Sequence, residues 1–282
     1  MKTASYPGLS GSIAAIEFPA NHSPGHSPDI VALHGWLDNA ASFIPLMDEM
    51  KDMHCSALDF PGHGLSDRRP EGSLYHLMDY VADVQSAIVA IGGGPKTLIG
   101  HSLGAGIACL LAAGAPDLIG KLVLIDGLGP LSADASTAPS RLKKFLAAAG
   151  ELDQLPDRRP YPSFDHLVAA RRRASTISES SAKLLMQRAS EESPEGVVVR
   201  SDARVKTPSP LYLSEAQVEA FLRAVSVPVL LVVATEGVLS DADKLKRRVG
   251  YFNEITVVEL EGGHHLHMDS PALVARSIKE FL

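Results

Sequence analysis

The sequence predicts an α/β protein: a mostly parallel sheet with helices on both faces and a helical segment inserted late in the chain. Three observations carry this. Four short runs are nearly continuous apolar stretches (Ile30-Val-Ala-Leu33, Leu122-Val-Leu-Ile125, Val229-Leu-Leu-Val-Val233 and Ile255-Thr-Val-Val258), as strands covered on both faces are. Helical patterns alternate with them, which is the signature of parallel βαβ construction. The alternation then fails once, from Gly127 to Ala224, over a length that structureless loops rarely reach.

Composition narrows the class further. The 282 residues carry 26 basic and 33 acidic side chains, a net charge of −7, with 45% hydrophobic and 21% charged residues. Disorder is excluded by that apolar content. A nucleic-acid partner is disfavoured, because it requires a basic stripe. Cys55 and Cys109 cannot make a disulfide framework and lack metal-ligand spacing, so both are expected as buried free thiols. Met1 to Ser10 has no apolar core of signal-peptide length. Gly104 to Ala115 and Val227 to Ala234, the longest greasy stretches, fall short of the roughly 18 residues a membrane span needs. A soluble cytoplasmic protein is expected.

In chain order, strands are expected at Ser12–Phe18, Asp29–His34, His54–Asp59, Lys96–His101, Lys121–Asp126, Val227–Ala234 and Ile255–Leu260, all β-branched runs. Helices are expected at Ala41–Met50, Leu74–Ile91, Leu103–Ala115 and Pro271–Leu282. In the second, Leu77, Tyr80, Val81, Val84, Ile88 and Ile91 recur at helical spacing. Within the interval 127–226 no strand is expected. Helical stretches at Ser140–Ala149, Phe164–Thr176, Ser178–Ala189 and Ser214–Val225 are separated by loop signals at Leu155–Pro160, Glu192–Gly196 and Thr207–Pro210. The division is therefore a core of residues 1–126 and 227–282 and a helical cap of residues 127–226. The run Arg171-Arg172-Arg173 is expected on a solvated helix face.

Three segments carry chemistry. Gly100-His-Ser102-Leu-Gly104 places G-x-S-x-G between an apolar strand and a helix of small residues. A serine on so sharp a strand-to-helix turn adopts a strained backbone, relieved by small neighbours, and its hydroxyl is exposed above the sheet edge. The unpaired N–H groups at the helix start suit developing negative charge. His34-Gly35-Trp36, after an early strand, can aim the Trp36 N–H at the same point, with the Leu103 N–H as the second donor of an oxyanion hole. Gly262-Gly263-His264-His265-Leu266-His267 follows the last strand. There an imidazole can take the serine proton and return it to a leaving group. His264 is best placed, with His265 and His267 in supporting or surface positions. A metal site is disfavoured by the spacing.

Together with Asp59-Phe-Pro-Gly-His-Gly-Leu-Ser66, these motifs resemble the α/β-hydrolase superfamily, and within it the serine hydrolase-like proteins. The resemblance spans nearly the whole chain. It implies the α/β-hydrolase fold, with an eight-stranded, mostly parallel sheet and an inserted helical cap. It also implies Ser–His–acid chemistry without metal or organic cofactor, with Ser102, His264, Trp36 and Leu103 in the family's positions.

The acid departs from the family. Most relatives place it in a Gly-x-x-Asp turn after the strand that Val227–Ala234 resembles. Here the chain reads Ala234-Thr-Glu-Gly237: Gly237 fills the usual position and Glu236 comes one residue early, where a slip of one turns the side chain to the other face. Some haloalkane dehalogenases instead place the acid after the strand that follows the nucleophile helix, where this chain has Leu124-Ile-Asp126-Gly127. Asp126 is preferred, with Glu236 the alternative. Asp241 and Asp243 read as helix N-terminal charges, Asp59 as a loop organiser, and His63 and His101 as structural histidines.

The expected function is a carboxylesterase-like serine hydrolase acting through an acyl-enzyme on a small-molecule ester. Leu142, Phe145, Leu146, Phe164, Leu167 and Leu185 in the cap suggest an apolar acyl pocket. A homodimer is allowed. The rival readings are a non-catalytic ligand-binding protein on the same fold and a cofactor-free C–C hydrolase or perhydrolase with the same triad. Serine at 102 disfavours an aspartate-nucleophile dehalogenase or epoxide hydrolase.

Overall fold

A computed structural model describes residues 1–21, 27–152 and 160–282. In chain order its strands are β1 (Lys2–Pro7), β2 (Ser12–Phe18), β3 (Ile30–Leu33), β4 (Cys55–Leu58), β5 (Lys96–His101), β6 (Ile119–Ile125), β7 (Ser190–Ser193), β8 (Gly196–Val199), β9 (Val229–Glu236) and β10 (Ile255–Gly263). Its helices are α1 (Ile44–Glu49), α2 (Leu77–Ile91), α3 (Leu103–Gly114), α4 (Ala138–Ala149), α5 (Phe164–Ala174), α6 (Glu179–Ala189), α7 (Glu215–Ala224), α8 (Ala242–Val249), α9 (Leu266–Asp269) and α10 (Pro271–Phe281).

Eight strands form one sheet in the order β1-β2-β4-β3-β5-β6-β9-β10. The pairs β1–β2 and β2–β4 are antiparallel and the rest are parallel. This is the α/β-hydrolase fold. Successive strand residues go to opposite faces, so β6 sends Leu122 and Leu124 into one core and Val123 and Ile125 into the other. The first core takes Val84 and Ile88 of α2 with Ile107 and Leu111 of α3. The second takes Leu46 of α1 with Val274 and Ile278 of α10. Both cysteines are buried free thiols. Among the described residues no helix is long and apolar enough to cross a membrane.

Besides the short helices α8 and α9, for which no range was expected, and the helix expected at Ala41–Met50, which is a 3-10 turn at Ala40–Phe43 running into α1, three elements differ from expectation. β1 was not expected, because Lys-Thr-Ala-Ser-Tyr-Pro has no apolar run; it is an edge strand, largely exposed, and a polar edge protects a sheet from pairing with other chains. The interval expected to lack strands contains the hairpin β7–β8. Its second strand is Gly-Val-Val-Val, and the loop expected at Glu192–Gly196 is only the two-residue turn 194–195, its other residues pairing in the strands, with Gly196 at φ 130°. Thirdly, α2 begins at Leu77 rather than Leu74, where the Asp79 carboxylate accepts the His76 N–H. The loop expected at 155–160 lies, apart from Pro160, outside the described residues.

The segment between β6 and β9 is not uniform. Leu167, Val168, Ala182, Leu185, Met186 and Val197 form a hydrophobic cluster of their own. Val218 and Leu222 of α7 instead bury in the core shared with α3. The last helix of this interval thus packs in the layer that covers the sheet.

Candidate active site

The positions singled out in the sequence all follow the carboxyl ends of parallel strands, the edge where open α/β sheets bind ligands. His34 follows β3, Ser102 follows β5, Asp126 follows β6, and His264 follows β10.

Ser102 stands at φ 52°, ψ −111° between β5 and α3, a backbone conformation that is costly for any residue with a side chain and is retained where surrounding structure enforces it. The enforcement is visible in the flanking glycines. A Cβ on Gly104 would sit 2.1 Å from the Leu33 carbonyl oxygen, and one on Gly100 would sit 2.6 Å from the Ala105 nitrogen. β3, β5 and α3 close on one another at a distance only glycine allows. Ser102 itself is half-buried.

Asp126 and His264 meet across 138 residues of sequence, with His264 Nδ1 2.6 Å from Asp126 Oδ2. The carboxylate also accepts the Val238 N–H at 2.9 Å and the Ala234 N–H at 3.4 Å. Burial works to raise the Asp126 pKa, but the hydrogen bonds from His264 and Val238 outweigh it and hold the carboxyl below its ordinary value. Because Nδ1 donates to the carboxylate, the neutral ring keeps its lone pair on Nε2. Gly237 explains the departure from the family: a Cβ there would lie 2.3 Å from Asp126 Oδ1. The carboxylate from β6 fills the space that a side chain at 237 would need. Glu236 ends β9 with its side chain exposed, and no hydrogen bond or ion pair joins it to His264 among the described residues.

Two amides complete the edge. Leu103 is the first residue of α3, so its N–H has no partner within the helix. In the loop after β3, the Asp38 N–H closes a turn onto Gly35 O at 3.1 Å and the Leu37 N–H lies 3.4 Å from His63 Nε2. The Trp36 N–H makes no hydrogen bond among the described residues. Trp36 is 54% exposed, and its indole N–H donates to the Val205 carbonyl at 3.2 Å. His34 is buried beneath this loop and accepts the Phe60 N–H at 2.9 Å. Burial pushes its pKa down to about 3. Asp59 organises two loops: it accepts the Ala40 N–H at 2.7 Å and the Leu65 N–H at 2.8 Å, and pairs with Arg188 of α6.

Sequence reasoning missed the group behind His264. Of the supporting or surface positions expected for His265 and His267, the surface one does not hold; both are buried. His265 Nε2 lies 3.2 Å from Asp38 Oδ2. His101 donates from Nε2 to the His264 carbonyl at 2.9 Å, and the two rings are 4.5 Å apart between centroids. Burial pushes His101 down to about 4, so at neutral pH its single proton is the one given to that carbonyl. The expectation of a solvated arginine face needs correction at one position. Arg172 and Arg173 are exposed, but Arg171 points inward and places its guanidinium 2.6 Å from Asp38 Oδ1. A helix passing over a protein surface has one side turned inward, and the triplet's first arginine falls on it. Burial works against ionisation of Asp38, yet His265 and Arg171 beside it hold its carboxyl well below the ordinary range.

Asp38, His101 and His265 offer one ligand atom each within 4.8 Å of one another. The donor set does not suit a metal, because the guanidinium of Arg171 already supplies the cation at Asp38, 3.4 Å from His265 Nε2. A divalent ion there would set like charges side by side in a buried site.

The comparisons with known proteins support a hydrolase. A family model described as alpha/beta hydrolase fold matches residues 28–271, and the chain belongs to that family. It is similar to a serine hydrolase-like protein of Danio rerio, 30% identical over 272 residues that cover 92% of this chain and 82% of the relative. Among solved structures it is similar to a hypothetical protein of Pseudomonas aeruginosa PAO1, with TM-score 0.91 and 38% identity over 100% of this chain and 99% of that one. A thioesterase domain from the curacin biosynthetic pathway shares the fold, with TM-score 0.84 and 24% identity over 99% of both chains.

Proposed function

We propose that the protein is a serine hydrolase that cleaves carboxylic esters through an acyl-enzyme. Ser102 attacks the carbonyl while His264 Nε2 takes its proton. Asp126 holds the imidazole in that tautomer and stabilises its charged form. The N–H groups of Trp36 and Leu103 receive the oxyanion, and the protonated His264 then gives its proton to the departing alcohol. Water, activated by the same imidazole, releases the acid and restores the serine. The observation that carries this reading is the 2.6 Å contact between His264 and Asp126, in a chain whose usual acid position is a glycine. The substrate is a small ester; of the side chains expected to form an apolar acyl pocket, Leu142 and Leu146 are exposed and Leu167 and Leu185 bury in the inserted segment's own cluster, so the apolar acyl preference rests on the sequence alone. The proposed location is cytoplasmic, as the sequence reading has it.

The test is a panel of p-nitrophenyl acyl esters, with a fluorophosphonate probe to label the nucleophile. Turnover and labelling are expected in the parent and absent in Ser102→Ala. A parent that neither turns over esters nor is labelled at Ser102 sinks the proposal and leaves the ligand-binding reading.

A further inference from the structure

We propose that Asp38 is a positioning residue for the hydrolytic centre, and that Arg171 makes this support depend on the docking of α5. The inference rests on the Ser102–His264–Asp126 reading above. Three features converge on the Asp38 carboxylate.

The first is the turn that carries the oxyanion donor. Asp38 closes it through its N–H onto Gly35 O at 3.1 Å, with Leu37 in a left-handed conformation at φ 62°. A Cβ on Gly35 would lie 2.8 Å from His101 Nδ1 and 2.9 Å from Asp38 Oδ2. The carboxylate therefore packs directly behind the residue that precedes the Trp36 amide.

The second feature is the loop that carries the base. His265, next to His264, lies with Nε2 3.2 Å from Asp38 Oδ2, and His101, next to Ser102, donates to the His264 carbonyl at 2.9 Å. The histidine loop is thus held from two sides: by Asp38 through His265, and by the nucleophile strand through His101. Neither contact reaches the reacting atoms. Both fix the main chain from which the imidazole projects.

The third is the source of the compensating charge. Asp38 is buried, and its cation comes from α5, where Arg171 also bonds Ser175. The same loop is tied to the inserted segment twice more, by Trp36 Nε1 to Val205 O at 3.2 Å and by Asn39 Nδ2 to Leu185 O at 2.9 Å. A buried carboxylate that loses the fixed cation beside it must draw in water, rotate or take up a proton. Each of those responses would disturb the Gly35–Asp38 turn and the His265 contact together.

The experiment uses the full chain with p-nitrophenyl butyrate, active sites being counted by fluorophosphonate titration carried to completion. Arg171→Ala is expected to lower kcat per titrated site by about tenfold to a hundredfold, the scale of an ångström-level misplacement, with KM little changed. Millimolar guanidinium, which refills the space, is expected to restore much of that kcat. Guanidinium is expected to leave the parent and Arg172→Ala, the exposed neighbour on the same helix, unchanged. Adding Asp38→Asn to Arg171→Ala is expected to cost little more, because both act through one pair. If Arg171→Ala does not fold, Arg171→Lys keeps the charge without the fork, and a partial fall in kcat per site is expected. A purely structural role would reduce the number of titratable sites and leave kcat per site at the parental value; that result, or no response to guanidinium, overturns the proposal. Failure of the hydrolase reading looks different, because the parent itself would then be unlabelled and inactive.

Discussion

Asp126 and Asp38 make an instructive pair. Both lie shortly beyond the carboxyl ends of core strands, both are buried, and each contacts a histidine of the loop after β10. Their surroundings differ in charge and in the exposure of the histidine. Among the described residues Asp126 accepts from an imidazole and two main-chain amides, and its histidine is 23% exposed. Asp38 has a guanidinium at 2.6 Å, and its histidine is 4% exposed. A carboxylate that faces an imidazole and neutral amides gains from a positive charge on that ring, so it favours proton uptake during a reaction. A carboxylate already matched by a fixed cation has no such use, and contributes rigidity instead. Neighbouring positions of one loop thus reach two aspartates that the surrounding charge makes into different devices.

The contrast can be broken in order of expected effect. Asp126→Asn is expected to lower kcat by about 10⁴-fold, since an amide leaves the imidazole in the wrong tautomer. Ester hydrolysis under steady-state conditions measures it, and a loss confined to KM would contradict the assignment. Asp38→Leu tests the other aspartate through stability. Leaving the Arg171 charge buried and unpaired is expected to cost about 3–5 kcal/mol in urea unfolding, whereas Asp126→Asn strands no permanent charge and should cost less.

A smaller effect separates the histidines from the carboxylates by pH. His34, His101 and His267 are held neutral by burial, with His34 lowered to about 3, His101 to about 4 and His267 well below its ordinary value. The unfolded chain protonates each near pH 6.5 while the folded chain does not, so stability is greatest above that pH and declines as pH falls below it. The depressed carboxyls of Asp126 and Asp38 act in a separate window, adding stability above their unfolded values near 3.8 and losing it as pH falls through the folded ones. Denaturation curves should show the decline beginning near pH 6.5. His267→Leu should remove about 1–2 kcal/mol of the loss between pH 6.5 and 5. The smallest effect is expected of Glu236→Gln: an exposed substitution of this kind should leave kcat/KM within about twofold of the parent. A large loss there would transfer the acid's role away from Asp126.

Much of the molecule was legible along the chain. Runs such as Leu122-Val-Leu-Ile125 announce themselves because a strand covered on both faces has nowhere to put a polar side chain. The turn at Ser102 was legible because its steric needs are met by residues two positions away on either side. β1 was not, since a polar edge strand lacks the apolar signal and is recruited by pairing with β2. Arg171 was hidden for a related reason: a triplet of arginines carries no mark of which member turns inward. The acid was legible only as a departure, a glycine where a carboxylate was expected and an aspartate one strand away.

By itself, then, the order of residues determined the layered sheet, the strained serine and the histidine that follows the last strand. Each depends on neighbours within a few positions, through periodicity and hard-sphere contact. Tertiary structure alone decided that the Asp126 carboxylate fills the space beside Gly237, and that Arg171 reaches Asp38 across 133 residues. Those outcomes depend on which side chains share a volume once the sheet has closed, and no local pattern encodes a shared volume.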